Sequence, residues 1–222
     1  MEQKIIEEYL EKGTSVANHR FKSWEHCYDY FGKEDINEDL AGLHLGFFLA
    51  SFGMYKGKAF LLQRDYKFLI PVVQLILKHK HLRGIIVTPT NKTDFIENLF
   101  LLVEGLKSYF RQQYPDMKAV KKNEKDATDT LITKIILGTL GITPAYDRYF
   151  KDGVKRKGQD IPQSFSKSSF AELIQYTLDQ KENITSIQKE IKQKYGVEYP
   201  IMKIVDMYFW QTGYNAPKNK KS

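Results

Sequence analysis

Apolar side chains recur at every third or fourth position along most of the chain, the spacing that gathers them on one face of an α-helix. The longest run covers residues 93–114, where Phe95, Leu99, Leu102, Val103, Leu106 and Phe110 keep this register for about six turns. Further helices are predicted over residues 2–12, from Ser23, from Asn37, from Pro71, after a cap at Ser166 or Ser168, around Ile184 to Ile191, and after Pro200. The pattern predicts an all-α protein, with one globular multi-helix domain over residues 1–217 and a disordered basic tail over residues 218–222.

The predicted helix from Asn37 to Tyr55 carries a stripe of small residues. Gly42, Gly46, Ala50 and Gly53 recur along one of its faces. Glycine inside a helix costs about 1 kcal/mol relative to alanine, so a close contact with another backbone must compensate. The neighbouring face holds Leu43, Phe47 and Met54, and we expect these to point inward. This helix is therefore predicted to lie near the centre of the fold.

Residues 128–150 are the one stretch that suggests a functional motif, because they predict a helix, a tight turn and a second helix. Gly138 and Gly141 permit a left-handed backbone at the turn. Thr143 followed by Pro144 offers a cap and a first-turn proline for the second helix. That helix, AYDRYF, is expected to stop near Gly153, a residue suited to a C-terminal cap.

Such a turn can bind a phosphate through its backbone N–H groups, without any charged side chain. Gly138 and Gly141 are then candidate contacts to nucleic acid. The competing interpretation is structural, because two consecutive helices need a turn and glycine and proline supply it. The sequence leaves both interpretations open.

Positive charge is clustered on both sides of this motif. The chain carries 34 Lys and Arg against 27 Asp and Glu, a net charge of +7, which favours polyanions. The side chains predicted to bind nucleic acid are Lys121, Lys122, Arg148, Lys155, Arg156 and Lys157. Charge runs are also common in solvated loops that only aid solubility, so this alternative stands beside the first.

Several other classes of protein are disfavoured by the sequence. A single cysteine, Cys27, excludes an internal disulfide and a cysteine-based zinc site. The first residues form an acidic amphipathic helix rather than a signal peptide, and the most apolar window, around His44, is too short to span a membrane. His79 and His81 are two residues apart and do not face a common metal on a helix. We expect a cytoplasmic protein with no metal, no cofactor and no membrane partner.

The helix–turn–helix over Leu131 to Phe150, together with the late helix that carries Asp206 and Trp210, resembles helix-hairpin-helix DNA glycosylase domains. In that family an Asp shortly after the hairpin assists chemistry at the sugar, and Asp147 matches it. The resemblance thus implies Asp147 and Asp206 as catalytic candidates. The family's usual hairpin, with glycines spaced by one residue, is not present in LGTLGITP.

Three functions remain open from the sequence: a non-specific nucleic-acid-binding module, a glycosylase-like enzyme, and a protein-interaction domain without catalytic activity. For the enzyme, Asp147, Arg148, Asp206 and His44 should meet in one pocket. For the other two, Asp147 instead serves the second helix as an acid near its N-terminus, where it interacts with the helix dipole and caps free N–H groups.

Overall fold

A computed structural model describes residues 1–57, 59–113, 127–157 and 161–217. Within these ranges the chain forms ten α-helices, three short 3₁₀-helices and no β-strand, which confirms the all-α prediction. The α-helices are α1 (Gln3–Thr14), α2 (Lys22–Gly32), α3 (Glu38–Ser51), α4 (Ile70–Lys78), α5 (Lys92–Gln112), α6 (Asp129–Thr139), α7 (Arg148–Lys157), α8 (Lys167–Asp179), α9 (Lys181–Tyr195) and α10 (Ile201–Tyr214). The 3₁₀-helices are Phe60–Gln63, Tyr66–Leu69 and Lys80–Leu82. The predicted tail, residues 218–222, lies outside the described residues.

Local capping explains where several helices begin and end. The side chain of Asn37 accepts a hydrogen bond from the N–H of Leu40 at 3.0 Å, and that of Ser166 accepts one from Ser169 at 3.2 Å. Both side chains satisfy N–H groups that lack a partner within the helix. At the other end of α9, Gly196 adopts the left-handed backbone with φ +72°. The predicted cap at Ser166 is confirmed, and α3 starts immediately after Asn37 as predicted.

Helix α5 has the apolar face that its spacing predicted. All six residues of the register, Phe95, Leu99, Leu102, Val103, Leu106 and Phe110, are buried. Helix α5 packs against α4 and α8. Its long register was the strongest signal in the sequence, and it correctly placed the helix and its core face.

Helix α3 packs closely through its glycines, but its apolar face was assigned to the wrong side. Gly42 and Gly46 lie against the 3₁₀-helix that begins at Tyr66, where a Cβ on either glycine would stand 3.4 Å from Tyr66 atoms. The expectation that Leu43 and Phe47 point inward is wrong, since they expose 42% and 62% of their surface. Because successive residues are about 100° apart around a helix, the residues before and after a glycine lie on opposite sides of it. The core-facing residues of α3 lie on the side opposite Leu43 and Phe47, and they are Ala41, Leu45, Phe48 and Leu49.

The most enclosed segments are α6 with the turn after it, and α10. Every residue from 131 to 146 is buried, as is every residue from 202 to 213. Helix α10 is covered by α1 and α7, and α6 is covered by α2, α3 and α5. Among the helices of the described ranges, none has both the length and the continuous apolar run required to cross a bilayer.

Candidate functional site

The turn between α6 and α7 differs in detail from the predicted hairpin. Helix α7 begins at Arg148 and continues through Gly153 to Lys157, so the predictions of a cap at Thr143 and an end near Gly153 are wrong. The hydroxyl of Thr143 instead donates to the carbonyl of Thr133 at 3.4 Å. Asp147 caps α7, because its carboxylate accepts a hydrogen bond from the N–H of Phe150 at 3.1 Å. The predicted capping role of Asp147 is confirmed.

The backbone N–H groups of this turn face the protein interior. Ala145 donates its N–H to the carboxylate of Asp206 at 2.9 Å, and Tyr146 donates its N–H to the hydroxyl of Thr133 at 3.0 Å. The hydroxyl of Thr130 donates to the carbonyl of Tyr146 at 2.8 Å. The N–H groups of Ala145 and Tyr146 are therefore already engaged and do not contact an anion.

The two glycines proposed as phosphate contacts are buried as well. Gly138 lies inside α6 beneath Phe48, where an added Cβ would stand 2.4 Å from the ring. Gly141 has the predicted left-handed backbone, with φ +68°, and lies between Tyr28 and Pro200. Both glycines permit close packing at positions with no room for a side chain. A phosphate contact at Gly138 or Gly141 does not fit this burial.

The two predicted catalytic carboxylates come together with two lysines beneath the turn. The ammonium of Lys203 lies 2.9 Å from the carboxylate of Asp206, and that of Lys134 lies 3.4 Å from the carboxylate of Asp147. Asp147 also acts electrostatically on Asp206. The sequence named Asp147 and Asp206, whereas the lysines that balance their charges were not assigned to this site.

Further partners complete the coordination of the lysines. Lys134 donates to the carbonyl of Phe52 at 2.9 Å, and Lys203 donates to the hydroxyl of Tyr9 at 3.3 Å. The Lys203 ammonium also lies 5.2 Å from the ring centroid of Trp24, within the range of a cation–π contact. The network therefore ties the turn and α10 to α1, α2 and the end of α3.

Burial and pairing act in opposite directions on the Lys203–Asp206 pair. Burial alone lowers the pKa of Lys203, but the Asp206 carboxylate and the Tyr9 hydroxyl outweigh it, and the net shift of this pKa is upward. Burial raises the pKa of Asp206 against the opposing effect of the Lys203 ammonium. Only 4% of Asp206 is exposed, and its carboxylate already accepts two hydrogen bonds. This geometry fixes the turn on α10.

A second set of predicted residues lies on the surface, in a groove between α7 and the end of α10. Arg148, Lys155 and Arg156 line the groove, which has a volume of about 620 Å³. The remaining lining residues are Tyr149, Asp152, Gly213, Tyr214, Ala216 and Pro217. We call this feature the basic groove. It contains three of the side chains that the sequence assigned to nucleic acid.

Two glycines bring the helices beside the basic groove into direct contact. A Cβ on Gly153 would stand 1.8 Å from the carbonyl oxygen of Phe209, and one on Gly213 would stand 1.9 Å from that of Tyr149. Neither position can hold a side chain without a shift of backbone. Helix α7 continues past Gly153, so Lys155 and Arg156 lie on the same helix as Arg148.

Aromatic rings form one wall of the basic groove. Tyr214 exposes 44% of its surface and stacks on Trp210, with ring centroids 5.1 Å apart. The ammonium of Lys12 lies 4.1 Å from the Tyr214 ring centroid, and Tyr149 meets Trp210 edge to face. This cluster was not predicted from the sequence. The sequence feature that could have predicted the cluster is the pair of aromatic residues Trp210 and Tyr214, which are about one helical turn apart.

The remaining candidates lie elsewhere. Lys157 forms an ion pair with Glu2, and Lys121 and Lys122 fall outside the described residues. His44 stacks on Tyr30 with ring centroids 4.4 Å apart, whereas Arg148 lies in the basic groove, so the four residues expected in one enzyme pocket are not brought together.

Within the described ranges, no group of three or more His, Cys, Asp or Glu side chains could hold a metal ion. Comparisons with protein-family models, with curated proteins and with solved structures each find no match to this chain.

Proposed function

We propose that this protein is a nucleic-acid-binding module that contacts the phosphate backbone through the basic groove, without reading base sequence. The observation that carries the proposal is the meeting of Arg148, Lys155 and Arg156 in one groove. Phosphate contacts made by Arg and Lys supply most of the affinity of non-specific nucleic-acid binding.

The charge balance of the basic groove supports an anionic partner. Arg148, Lys155 and Arg156 are exposed, and none of them forms an ion pair with another residue of the described part of the chain. Among the described residues that line the groove, Asp152 is the one acidic residue. A phosphate would therefore meet cations that have not been neutralised by neighbouring carboxylates.

The spacing of these cations suits an extended polyanion. Arg148 and Lys155 are seven residues apart on α7, which places them about 10 Å apart along the helix axis. Three more lysines, Lys218, Lys220 and Lys221, follow the groove residue Pro217 in the sequence. A backbone with repeated charges fits this arrangement better than a single small anion.

Binding of a fluorescently labelled oligonucleotide, followed by anisotropy at low salt, tests the proposal. We expect a Kd on the order of 10⁻⁴ to 10⁻⁶ M at physiological salt, with little dependence on base sequence. The variant Arg148→Glu/Lys155→Glu/Arg156→Glu should lose this binding. The matched control, Lys4→Glu/Lys78→Glu/Lys189→Glu, changes the net charge equally at exposed positions away from the groove and should retain most of the affinity.

Comparison of the groove variant with its control distinguishes binding at the basic groove from electrostatic attraction to the net charge of the protein. Equal loss in both would show that only net charge matters, and this would contradict the proposal. Absence of binding by the unmodified protein at low salt would also contradict it. Thermal unfolding of each variant shows whether a loss of binding accompanies a loss of fold, since Lys155 and Arg156 lie in the last turn of α7, as Lys78 does in α4.

A glycosylase-like activity is the second candidate function, although both of its carboxylates are engaged in ion pairs and Asp206 is only 4% exposed. Asp147 and Asp206, the carboxylates implied by the resemblance, interact through space and are paired with Lys134 and Lys203. This candidate predicts that the protein releases a base from damaged duplex DNA, and that Asp147→Asn abolishes the release while the protein stays folded. No release by the unmodified protein would exclude it for the substrates used.

A further inference from the structure

A second cleft lies on another part of the surface and, among the described residues, shares no lining residue with the basic groove. It forms where the loop after Gly84, the α6–α7 turn, the end of α8 and the first turns of α9 meet residues 198–202. Its volume is about 590 Å³, within the range of about 300–1,000 Å³ that is typical of small-molecule sites. We call it the apolar cleft.

Most of the side chains in the apolar cleft are hydrocarbon or aromatic. Its apolar members include Ile85, Ile86, Phe95, Ile142, Leu178 and Met202. Ile85 and Ile86 expose 37% and 66% of their surface at the cleft. Exposed apolar side chains that converge on a concavity leave hydrophobic surface in contact with water, and a ligand with an apolar body would cover it.

One wall of the cleft is held by the turn glycine Gly141. With φ +68°, this residue passes between Tyr28 and Pro200, and a Cβ there would stand 2.7 Å from the Tyr28 ring and 2.8 Å from the Pro200 ring. Pro200 is also the N-cap residue that immediately precedes α10. The cleft is therefore built on the buried turn rather than on a loose loop.

The polar groups of the cleft lie mainly on α9. Lys181, Thr185 and Gln188 are four and three residues apart, so they share one face of that helix. Gln188 donates to the carbonyl of Tyr199 at 2.7 Å, which orients its amide and leaves the amide oxygen as an acceptor. The hydroxyl of Thr185 has no hydrogen-bond partner among the described residues.

The unbalanced charge at the cleft is positive. Glu198 is the one acidic residue in the described part of the lining, and it already forms an ion pair with Lys192. Lys181 has no ion pair within the described ranges and lies in the first turn of α9. A cation is disfavoured at that end by the helix dipole, whereas an anion is favoured. A negatively charged group beside Lys181 would relieve this repulsion.

We propose that the apolar cleft binds a small amphipathic carboxylate, with its hydrocarbon part against Ile86, Phe95, Ile142 and Met202 and its carboxylate beside Lys181 and Thr185. The proposal is independent of the function of the basic groove, because the two sites share no residue. Hydrocarbon burial provides the affinity, and the Lys181 ammonium, which has no ion pair among the described residues, selects the ionised acid over an uncharged molecule of the same shape.

Calorimetric titration with decanoate and with the uncharged analogue decan-1-ol, both below the concentration at which they aggregate, tests this proposal. The unmodified protein should bind decanoate more tightly than the alcohol. The variant Lys181→Met keeps the apolar stem and should weaken decanoate by about tenfold, while leaving the alcohol unchanged. Lys189→Met, on the same helix and outside the cleft, should bind both as before.

A second pair of variants tests the hydrocarbon part of the site. Ile86→Asp places a carboxylate in the cleft and should weaken both ligands by about tenfold or more. Leu101→Asp changes a residue of nearly equal exposure on α5, at 64% against 66%, and should have no effect. Equal binding of decanoate by the unmodified protein, Ile86→Asp and Lys181→Met would overturn the proposal, as would the absence of any binding.

Discussion

Gly153 of α7 and Phe209 of α10 lie so close that a Cβ on Gly153 would stand 1.8 Å from the Phe209 carbonyl oxygen. The reciprocal contact places Gly213 of α10 against the carbonyl of Tyr149 on α7. Two backbones in direct contact leave no space for side chains between the helices. The exposed face of this crossing is the basic groove, so the packing of two glycines determines where Arg148, Lys155 and Arg156 are presented.

The glycine crossing predicts that Gly153→Ala destabilises the protein. The added methyl must displace backbone, which we expect to cost about 1–3 kcal/mol, and each kcal/mol lowers Tm by roughly 2–4 °C in a domain of this size. Gly105→Ala is the matched control, because Gly105 is also inside a helix but its Cβ would meet Leu75 at an ordinary 3.7 Å. That control should keep or raise Tm. An unchanged Tm for Gly153→Ala would contradict the crossing.

Helix α3 offers a test of which face is packed. Gly46→Leu should lower stability by about 1–3 kcal/mol, since it forces a side chain against the 3₁₀-helix that begins at Tyr66. Phe47→Ala, at the neighbouring exposed position, should change stability by no more than about 0.5 kcal/mol. Chemical denaturation of both variants measures the difference. The opposite order would place the glycine face in solvent.

Asp147 is expected to support structure through both its cap and its ion pair with Lys134. Asp147→Ala removes both interactions. Loss of the cap alone should lower the free energy of unfolding by about 0.5–2 kcal/mol. Asp147→Asn retains an acceptor for the N–H of Phe150 and loses only the charge, so its Tm should lie between those of Asp147→Ala and the unmodified protein. If neither variant alters Tm, the capping account of Asp147 is wrong.

His44 predicts a pH dependence of stability below neutral pH. Burial, together with His26 and Lys33, lowers the pKa of His44 below its ordinary value of 6.5, and its ring stacks on Tyr30. Because the folded state binds this proton less tightly, the stabilising contribution is present above pH 6.5 and is lost as pH falls through the folded pKa. Between neutral and mildly acidic pH, the Tm of His44→Gln should therefore fall less than the Tm of the unmodified protein. Parallel losses in both proteins would contradict this assignment.

The sequence predicted those features that depend on local spacing. The register from Phe95 to Phe110 identified α5 and its buried face, and Asn37 and Ser166 marked helix starts because a capping side chain acts on its own helix. The glycine stripe of α3 predicted a close contact correctly. It did not show which flank holds the core, since Leu43 and Ala41 stand on either side of it.

Features that depend on residues far apart in the sequence could not be predicted from local spacing. Gly153 is equally suited to end a helix and to allow a close crossing, and only the position of Phe209 decides between them. The charges of Lys155, Arg156 and Lys157 were visible in the sequence. That Lys155 and Arg156 line the basic groove, whereas Lys157 forms an ion pair with Glu2, depends on how α7 packs on α10 and on where the first residues of the chain lie. Local spacing does not predict either.

The salt dependence of oligonucleotide binding is the sharpest test of phosphate binding by the basic groove, because it counts the phosphate contacts. Each contact to a single strand contributes about −0.7 to the slope of log affinity against log salt concentration. We predict that Arg148→Gln/Lys155→Gln/Arg156→Gln makes this slope shallower by about 2, whereas Lys4→Gln/Lys78→Gln/Lys189→Gln leaves it unchanged. The same slope in the folded groove variant and in the unmodified protein would show that the phosphates are bound elsewhere, and would contradict the account.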